Sequence, residues 1–395
     1  MTVTVIGLDR QGLPPGAGSV LAQARLVVGP RHLLERHVPP DRATLDSTGG
    51  LPVDDIAVAE GPTAVLVAGD AGYFGDLRAL RARKLDVVAW PSVTDVQRMA
   101  ALVKRPWDDI AVVSARGRDF RHAVNVCRAR KAVAVLTAPG AGPAELAREL
   151  DGWRRNIAVL EHVGSPGERL SILDVSEAER RVWREPNLVL CLASLDSIGQ
   201  DGWIAGGDPV PPVGGWALED SAFATRTGVG LAPEVRALVL ARLAPRPGAL
   251  VWDVCAGSGA VGIEAARLGA AVIAVERDSG LCVRIVANAG AHGVDVRLAD
   301  GEPTRVLGSL PRPDSVFVGS SQPEVVRACA AAGAERVVVL VPEPDRLGGT
   351  RRALADAGYA VRGCQLSVAE LVALPDDTTG LQPSTATFLL WGTRA

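Results

Sequence analysis

Leu250-Val-Trp-Asp-Val-Cys-Ala-Gly-Ser-Gly-Ala-Val-Gly-Ile-Glu264 decides how this chain folds. A short apolar run leads to Asp253, as a buried strand does. Gly257 and Gly259 then make a tight turn, and a helix is predicted from about Ala260 to Leu268. Small residues at such a turn let backbone N–H groups approach a bound ligand closely. The next apolar run, Ala271–Val275, ends in Glu276, 19 residues beyond Gly257. An acid at that place can accept hydrogen bonds from both ribose hydroxyls of an adenosine ligand. Leu298-Ala-Asp300 sets a further acid at the end of a third strand. A nicotinamide dehydrogenase fits less well, because Gly257-x-Gly259 lacks the third-glycine register and Asp253 would oppose a pyrophosphate. Incidental glycines in an ordinary strand-to-helix turn would explain the turn alone, but not acids at three strand ends.

The alternation continues in both directions. Towards the C-terminus, strands are predicted at Ser315–Val318, Arg336–Val341 and Thr385–Leu390, with a helix starting near Pro233, which suits a first helical turn. In the first half, strands are predicted at Val3–Ile6, Ala64–Ala68, Asp86–Ala89, Ile110–Val113, Ala132–Leu136, Ile157–Leu160 and Leu188–Leu192. Helical segments such as Val93–Val103 and Pro143–Leu150 lie between them. The fold class is therefore α/β with mostly parallel strands. The pattern breaks in a Gly/Pro-dense stretch, 197–220, read as a linker docked through Trp203 and Trp216. It divides a domain 1–196 from a domain 221–395, and each is long enough to be expected to fold alone.

The 395 residues carry 48% apolar and 22% charged side chains, as globular domains do. A formal net charge of −3 gives no broad basic surface for nucleic acid or for an acidic membrane. Six scattered cysteines form no C-x-x-C pair and no zinc spacing, so no metal is expected and the thiols read as reduced. No apolar run approaches the roughly 20 residues of a membrane span, and no secretion signal opens the chain. A soluble, cytoplasmic protein is expected.

Asp253-x-Cys255-x-Gly257-x-Gly259 resembles the D-x-G-x-G-x-G turn of class I S-adenosylmethionine methyltransferases, with Cys255 in place of the first glycine. With Pro233-Glu-Val-Arg-Ala-Leu-Val-Leu-Ala-Arg-Leu-Ala-Pro-Arg-Pro-Gly248 before it, the second half is similar to the decarboxylating half of the precorrin-6Y C(5,15)-methyltransferases of cobalamin synthesis. The first half resembles their tetrapyrrole-methylase half through Val5-Ile-Gly-Leu-Asp9, Val27-Val-Gly-Pro-Arg-His32, Val67-Ala-Gly-Asp-Ala-Gly-Tyr-Phe-Gly75, Pro91-Ser-Val-Thr94, Pro106-Trp-Asp-Asp109, Val113-Ser-Ala-Arg-Gly-Arg118 and Leu160-Glu-His-Val-Gly164. The order of the halves also matches.

The resemblance implies a two-lobed tetrapyrrole-methylase fold followed by a Rossmann-like class I methyltransferase fold. It implies methylation of a tetrapyrrole at carbons 5 and 15, decarboxylation of the carbon-12 acetate, and one S-adenosylmethionine for each half. Cofactor residues would be Asp253, Gly257, Gly259, Glu276 and Asp300 in the second half, and Gly7, Gly69, Asp70, Tyr73 and Thr94 in the first. The many carboxylates of such a substrate suit bidentate arginines. Arg116, Arg118 and Arg121 are the candidates in the first half, Arg226 and Arg236 in the second. No catalytic acid, base or nucleophile stands out, and a homo-oligomer is expected. The chain departs from the family pattern in several places. Ala71 replaces the proline of Gly-Asp-Pro, Arg116 replaces the histidine of Ser-x-His-Gly-Arg, and Ser320 replaces the second glycine after the fourth strand. Leu231-Ala232 stands for Thr-Lys, and Val341-Pro-Glu-Pro344 for a stretch with Asn and Thr. These departures leave open a single-activity or cobalt-corrinoid methyltransferase, and a cofactor-binding sensor.

Overall fold

A computed structural model describes residues 2–9, 12–163, 165–194, 204–207, 214–225, 230–375, 378–383 and 386–394. Trp203, Gly164, Arg226 and most of the 197–220 stretch lie outside the described residues.

Three main sheets follow one another along the chain. The first holds β1 (Thr2–Leu8), β2 (Leu26–Gly29), β3 (Ala43–Asp46), β4 (Thr63–Ala68) and β5 (Asp86–Trp90). They run parallel in the order β3-β2-β4-β1-β5. The second holds β6 (Ala111–Ser114), β7 (Ala132–Leu136), β8 (Arg155–Glu161), β9 (Arg169–Asp174) and β10 (Asn187–Ala193), in the order β6-β7-β10-β8-β9. Here β10 is antiparallel to both of its neighbours.

The third sheet holds β11 (Leu250–Val254), β12 (Ala271–Glu276), β13 (Arg297–Asp300), β14 (Ser315–Val318), β15 (Arg336–Val341), β16 (Ala360–Leu366) and, beyond a hairpin of β17 (Ala369–Ala373) and β18 (Thr379–Pro383), β19 (Thr387–Thr393). Its order is β13-β12-β11-β14-β15-β19-β16, with β19 antiparallel to β15 and β16. Every residue of β11, β12 and β14 is buried. That is why these strands are continuous apolar runs and not alternating ones: helices cover both faces of a parallel sheet. Successive strands step outward from β11 in one direction to β12 and β13, and in the other to β14 and β15. In open α/β sheets such a reversal leaves a crevice at the carboxyl ends, where ligands bind.

Where it is described, the Gly/Pro-dense stretch is tied to both halves. The Gly206 amide donates to Asp108 O at 2.8 Å, and Gly215 O accepts from Arg267 at 3.1 Å. The amides of Ala217 and Leu218 donate to the Glu264 carboxylate. The halves also touch directly. Trp153, from the turn before β8, is buried in the same cluster as Leu250 and Trp252 of β11.

Candidate functional site

The crevice of the third sheet is built from the turn after β11. Cys255, Gly257 and Gly259 have φ of +56°, +61° and +79°. Glycine takes this left-handed conformation without penalty, whereas Cys255 carries a β-carbon there. The substitution noted in the sequence thus keeps the backbone shape and adds strain. The Gly257 amide donates to Glu276 Oε2 at 2.9 Å, while Oε1 accepts the Arg277 and Asp278 amides at 2.9 and 3.0 Å. Three backbone donors therefore fix the carboxylate at the end of β12 against the turn. Beside it opens a cavity of about 320 Å³ lined by Cys255, Glu276, Arg277, Leu281, Glu302 and Gly319. Arg277 and Glu302 pair at 3.2 Å on its wall.

Gly319, at the end of β14, is explained by the same turn: a β-carbon there would stand 2.6 Å from the Cys255 carbonyl oxygen. Asp300 pairs in register with Glu276 across β12 and β13 and is exposed. The Cys282 sulfur lies 3.8 Å from its Oδ1. Burial, with Asp300 and Glu276 nearby, pushes that thiol up to about 11.

Asp253 departs from expectation. It is fully buried and does not line the cavity; its Oδ2 accepts the Gly262 amide at 2.8 Å, tying β11 to the helix Ala260–Arg267. Its Oδ1 has no hydrogen-bond partner among the described residues. Burial pushes its pKa up to about 7, the Glu276 charge adds to the rise, and the Gly262 amide opposes it. Gly262 had no role in the sequence reading. A β-carbon there would come within 2.8 Å of Asp253 Oδ2.

In the first half, Gly7, Gly69, Asp70 and Thr94 converge where β1, β4 and β5 end. A β-carbon on Gly7 would stand 2.7 Å from Gly69 O, so backbone packing demands glycine at that position. Gly69 (φ +75°) donates to Leu8 O at 2.7 Å, and among the described residues no atom beyond its chain neighbours lies within 4 Å of where its β-carbon would be. Asp70 accepts the Gly72 amide at 2.8 Å and the Ser92 amide at 3.1 Å, binding the β4 exit to the β5 exit. Thr94 caps the helix Asp95–Leu102 in a reciprocal box with Gln97. Tyr73 packs edge-on against Phe74 and against the core of the second lobe, and burial raises its pKa. Two acids escaped the sequence reading. Asp76 and Asp95 begin the helices after β4 and β5, burial raises both pKa values, and Arg116 acts on both in the opposite direction.

Residues 5–179 match the family described as Tetrapyrrole (Corrin/Porphyrin) Methylases, and residues 228–342 match the Precorrin methyltransferase domain. A Sinorhizobium sp protein named Precorrin-6Y C(5,15)-methyltransferase [decarboxylating] is 29% identical over 339 residues, covering 82% of this chain and 79% of that protein. The chain belongs to the decarboxylating precorrin methyltransferases. A probable cobalt-precorrin-6B C(15)-methyltransferase (decarboxylating) of Pyrobaculum calidifontis is 31% identical over 162 residues, 38% of this chain and 83% of that protein. The crystal structure of precorrin-6y C5,15-methyltransferase from Geobacter metallireducens GS-15 aligns with 45% of this chain and 97% of its own, at 26% identity and a TM-score of 0.43.

For a precorrin methyltransferase the arginines matter, and two expectations need correcting. Arg236 is 1% exposed. Its Nε donates to Glu264 at 2.5 Å, Nη1 to Asp220 and Leu231 O, and Nη2 to Leu218 O, with the guanidinium over the Phe223 ring. With its donors committed inside the protein, it clamps Leu218, Asp220 and Leu231 and cannot reach a substrate carboxylate. Arg121 points away from the first-half site, donating to Arg312 O and to Asp314 of the second half. Arg116 is exposed, held by Nε to Thr137 O at 3.2 Å, and Arg118 is exposed beside it. Arg226 lies outside the described residues. Among the described residues no helix is long and apolar enough to cross a membrane.

Proposed function

We propose that the chain methylates precorrin-6Y at carbons 5 and 15 and decarboxylates the carbon-12 acetate, giving precorrin-8, with one S-adenosylmethionine for each half. The observation that carries this reading is the Glu276 carboxylate, fixed by three backbone amides at a cavity in the crevice of the third sheet, in a chain of this family. The residues fit the cofactor. A carboxylate offers about four lone-pair positions and three are taken by backbone amides, so Glu276 keeps room on Oε2 to accept from a ribose hydroxyl. A cavity of about 320 Å³ lies within the range of ligand pockets.

S-adenosylmethionine, when bound, supplies an already activated methyl group on a positively charged sulfur. The protein's part is then chiefly orientation. Glu276 holds the ribose, Gly257 and Gly259 keep the turn low beneath the ligand, and Asp300 faces the adenine. Asp253 acts from behind the turn, bracing it through the Gly262 amide. In the first half Gly69 leaves open space above the β4 exit, and Asp70 and Thr94 fix the loops around it. Arg116 and Arg118 meet substrate carboxylates, and Asp76 and Asp95 temper the charge of Arg116. Decarboxylation needs an electron sink, which the conjugated macrocycle supplies. A poorly hydrated setting for that one carboxylate favours its loss.

We further propose that the protein is cytoplasmic and self-associates through the hairpin β17–β18. Leu371 and Leu381 face each other across it, 71% and 68% exposed, and a lone two-stranded hairpin is marginal in water. Analytical ultracentrifugation of wild type and Leu371→Asp tests the last point. The central test is incubation with precorrin-6Y and methyl-labelled S-adenosylmethionine, read by mass spectrometry. Two added methyls with loss of carbon dioxide support the reading. A single methyl selects a one-site enzyme, and cofactor binding without turnover selects a sensor.

A further inference from the structure

The strands that surround the second-half cavity are gripped at their other ends by the first half. Ahead of β11, Gly248 O accepts from Asn125 Nδ2 at 3.0 Å, and the His122 ring nitrogen lies 3.2 Å from the same oxygen. Ahead of β13, Asp295 pairs with Arg154 at 3.0 Å and with Arg155. The Arg155 side chain is 1% exposed and also donates to Cys127 O at 2.7 Å. Ahead of β14, the 3%-exposed Asp314 side chain takes Arg121 on one oxygen and the Leu250 amide on the other at 2.7 Å. Trp153 fills the space between these contacts among Leu250, Trp252 and Val316. Gly152 beside it approaches Arg297 so closely that a β-carbon would stand 2.7 Å from the guanidinium.

Each gripped strand ends at the cavity side: β11 runs into Cys255, β13 into Asp300 and β14 into Gly319. Four or five residues separate the two ends, roughly 15 Å of extended chain. The strands are hydrogen-bonded side by side in parallel register. A slip of one strand at its gripped end is therefore carried to its cavity end. A charged partner such as Asp314, buried between two strands, is costly to leave unpaired, so the grip is stiff.

We infer that the first half is a positioning element for the methyl-transfer site of the second: Arg121, Asn125 and Arg155 set the strand register that brings Cys255, Glu276 and Gly319 together. The inference rests on the reading that the cavity holds the cofactor. It makes the two halves one cooperative unit, in place of the independently folding domains expected from the sequence. It also gives Arg121 a use other than substrate binding.

The test uses the full chain. Calorimetry of the wild type should show one melting transition, and Arg121→Ala or Asn125→Ala should split or broaden it. In the same variants, the KM for S-adenosylmethionine in carbon dioxide release should rise about 2- to 30-fold, the range of coupling seen for residues that act at a distance. The kcat and carbon-5 methylation should change little, and Arg121→Lys should recover most of the loss. Arg155→Ala is the harsher variant, and the partly exposed Arg121 keeps the test open if Arg155→Ala does not fold. Two independent transitions in the wild type would overturn the inference, and so would an unchanged KM in both Arg121→Ala and Asn125→Ala. Absence of carbon dioxide release from the wild type would count against the functional reading instead. The melting profile and direct titration with S-adenosylmethionine would still decide the coupling.

Discussion

Glu276 Oε2 accepts the Gly257 amide at 2.9 Å, so the acid that ends β12 and the turn that follows β11 are one hydrogen-bonded unit. The acid shapes the turn and borders the cavity, where we propose that it also holds the ligand. Glu276→Ala should therefore cost more than a ribose contact alone. Charge-assisted hydrogen bonds are worth on the order of 1.5–3 kcal/mol, or about 10- to 150-fold in affinity. Isothermal titration of the full chain should lose one of two S-adenosylmethionine sites to at least that degree. An undiminished second site in a folded variant would refute the assignment.

Asp253 gives a pH prediction whose sign is fixed by burial. Its pKa is raised from 3.8 to about 7 in the folded protein, so between those values the folded state holds a proton that the unfolded chain has released. Stability from this group is then present at low pH and lost as pH rises through the window, by up to about 1.4 kcal/mol per unit and on the order of 4 kcal/mol in all. Asp253→Asn removes the titration. Relative to wild type, the variant should gain stability between pH 5 and pH 8 in urea unfolding. Comparing the two pH values cancels the cost of the new buried amide. A wild-type-minus-variant difference that is flat with pH would show that Asp253 stays charged in the fold.

What could be read from the residues followed how local its cause was. β11, β14 and β15 match their expected limits and β12 runs one residue further, because unbroken apolar runs and flanking glycines mark strands buried on both faces, whereas β13, expected at Asp295–Leu298, lies two residues later at Arg297–Asp300. β2 escaped because it is only four residues long, although it is buried between β3 and β4; the largely exposed β3, β9 and β16 escaped since at edges the apolar signal is diluted by Arg, Asp and Ser. Glu276 was legible from its place after a strand. The burial of Arg236 was not, because Glu264, its nearest anion, is 28 residues away and only the fold joins them. Arg121 is harder still, with Asp314 193 residues distant. Gly262 and Gly319 could have been questioned as glycines without a turn, yet the atoms that require them come from other segments.

Arg236 should behave as a structural residue. Removing it leaves Glu264, fully buried, without its cation, a change that costs about 3–5 kcal/mol. Arg236→Ala should lower the melting temperature by many degrees. In any folded fraction, the KM for precorrin-6Y should be near that of wild type. A normal melt with a large rise in that KM would restore Arg236 to the substrate site.

The last prediction separates the two active sites. Gly69 borders open space in the first half, so Gly69→Trp should fill the region where that half takes its cofactor. Its φ of +75° adds strain, of order 1–3 kcal/mol, which a domain with the buried cores of β1, β4 and β7 should tolerate. The product should carry the carbon-15 methyl and lack the acetate carboxyl, without the carbon-5 methyl. Asp253→Ala acts at the other end of the chain. It releases the Gly262 amide from β11 and loosens the turn that carries Gly257. Decarboxylation and carbon-15 methylation should then fail together, because both need the macrocycle held in one pocket. Carbon-5 methylation should persist, since the first half's grip on β11, β13 and β14 lies at the far end of those strands from Asp253 and Gly257. Mass spectrometry of products from wild type and both variants distinguishes the cases. If decarboxylation survives Asp253→Ala and disappears in Gly69→Trp, the two reactions belong to the opposite halves.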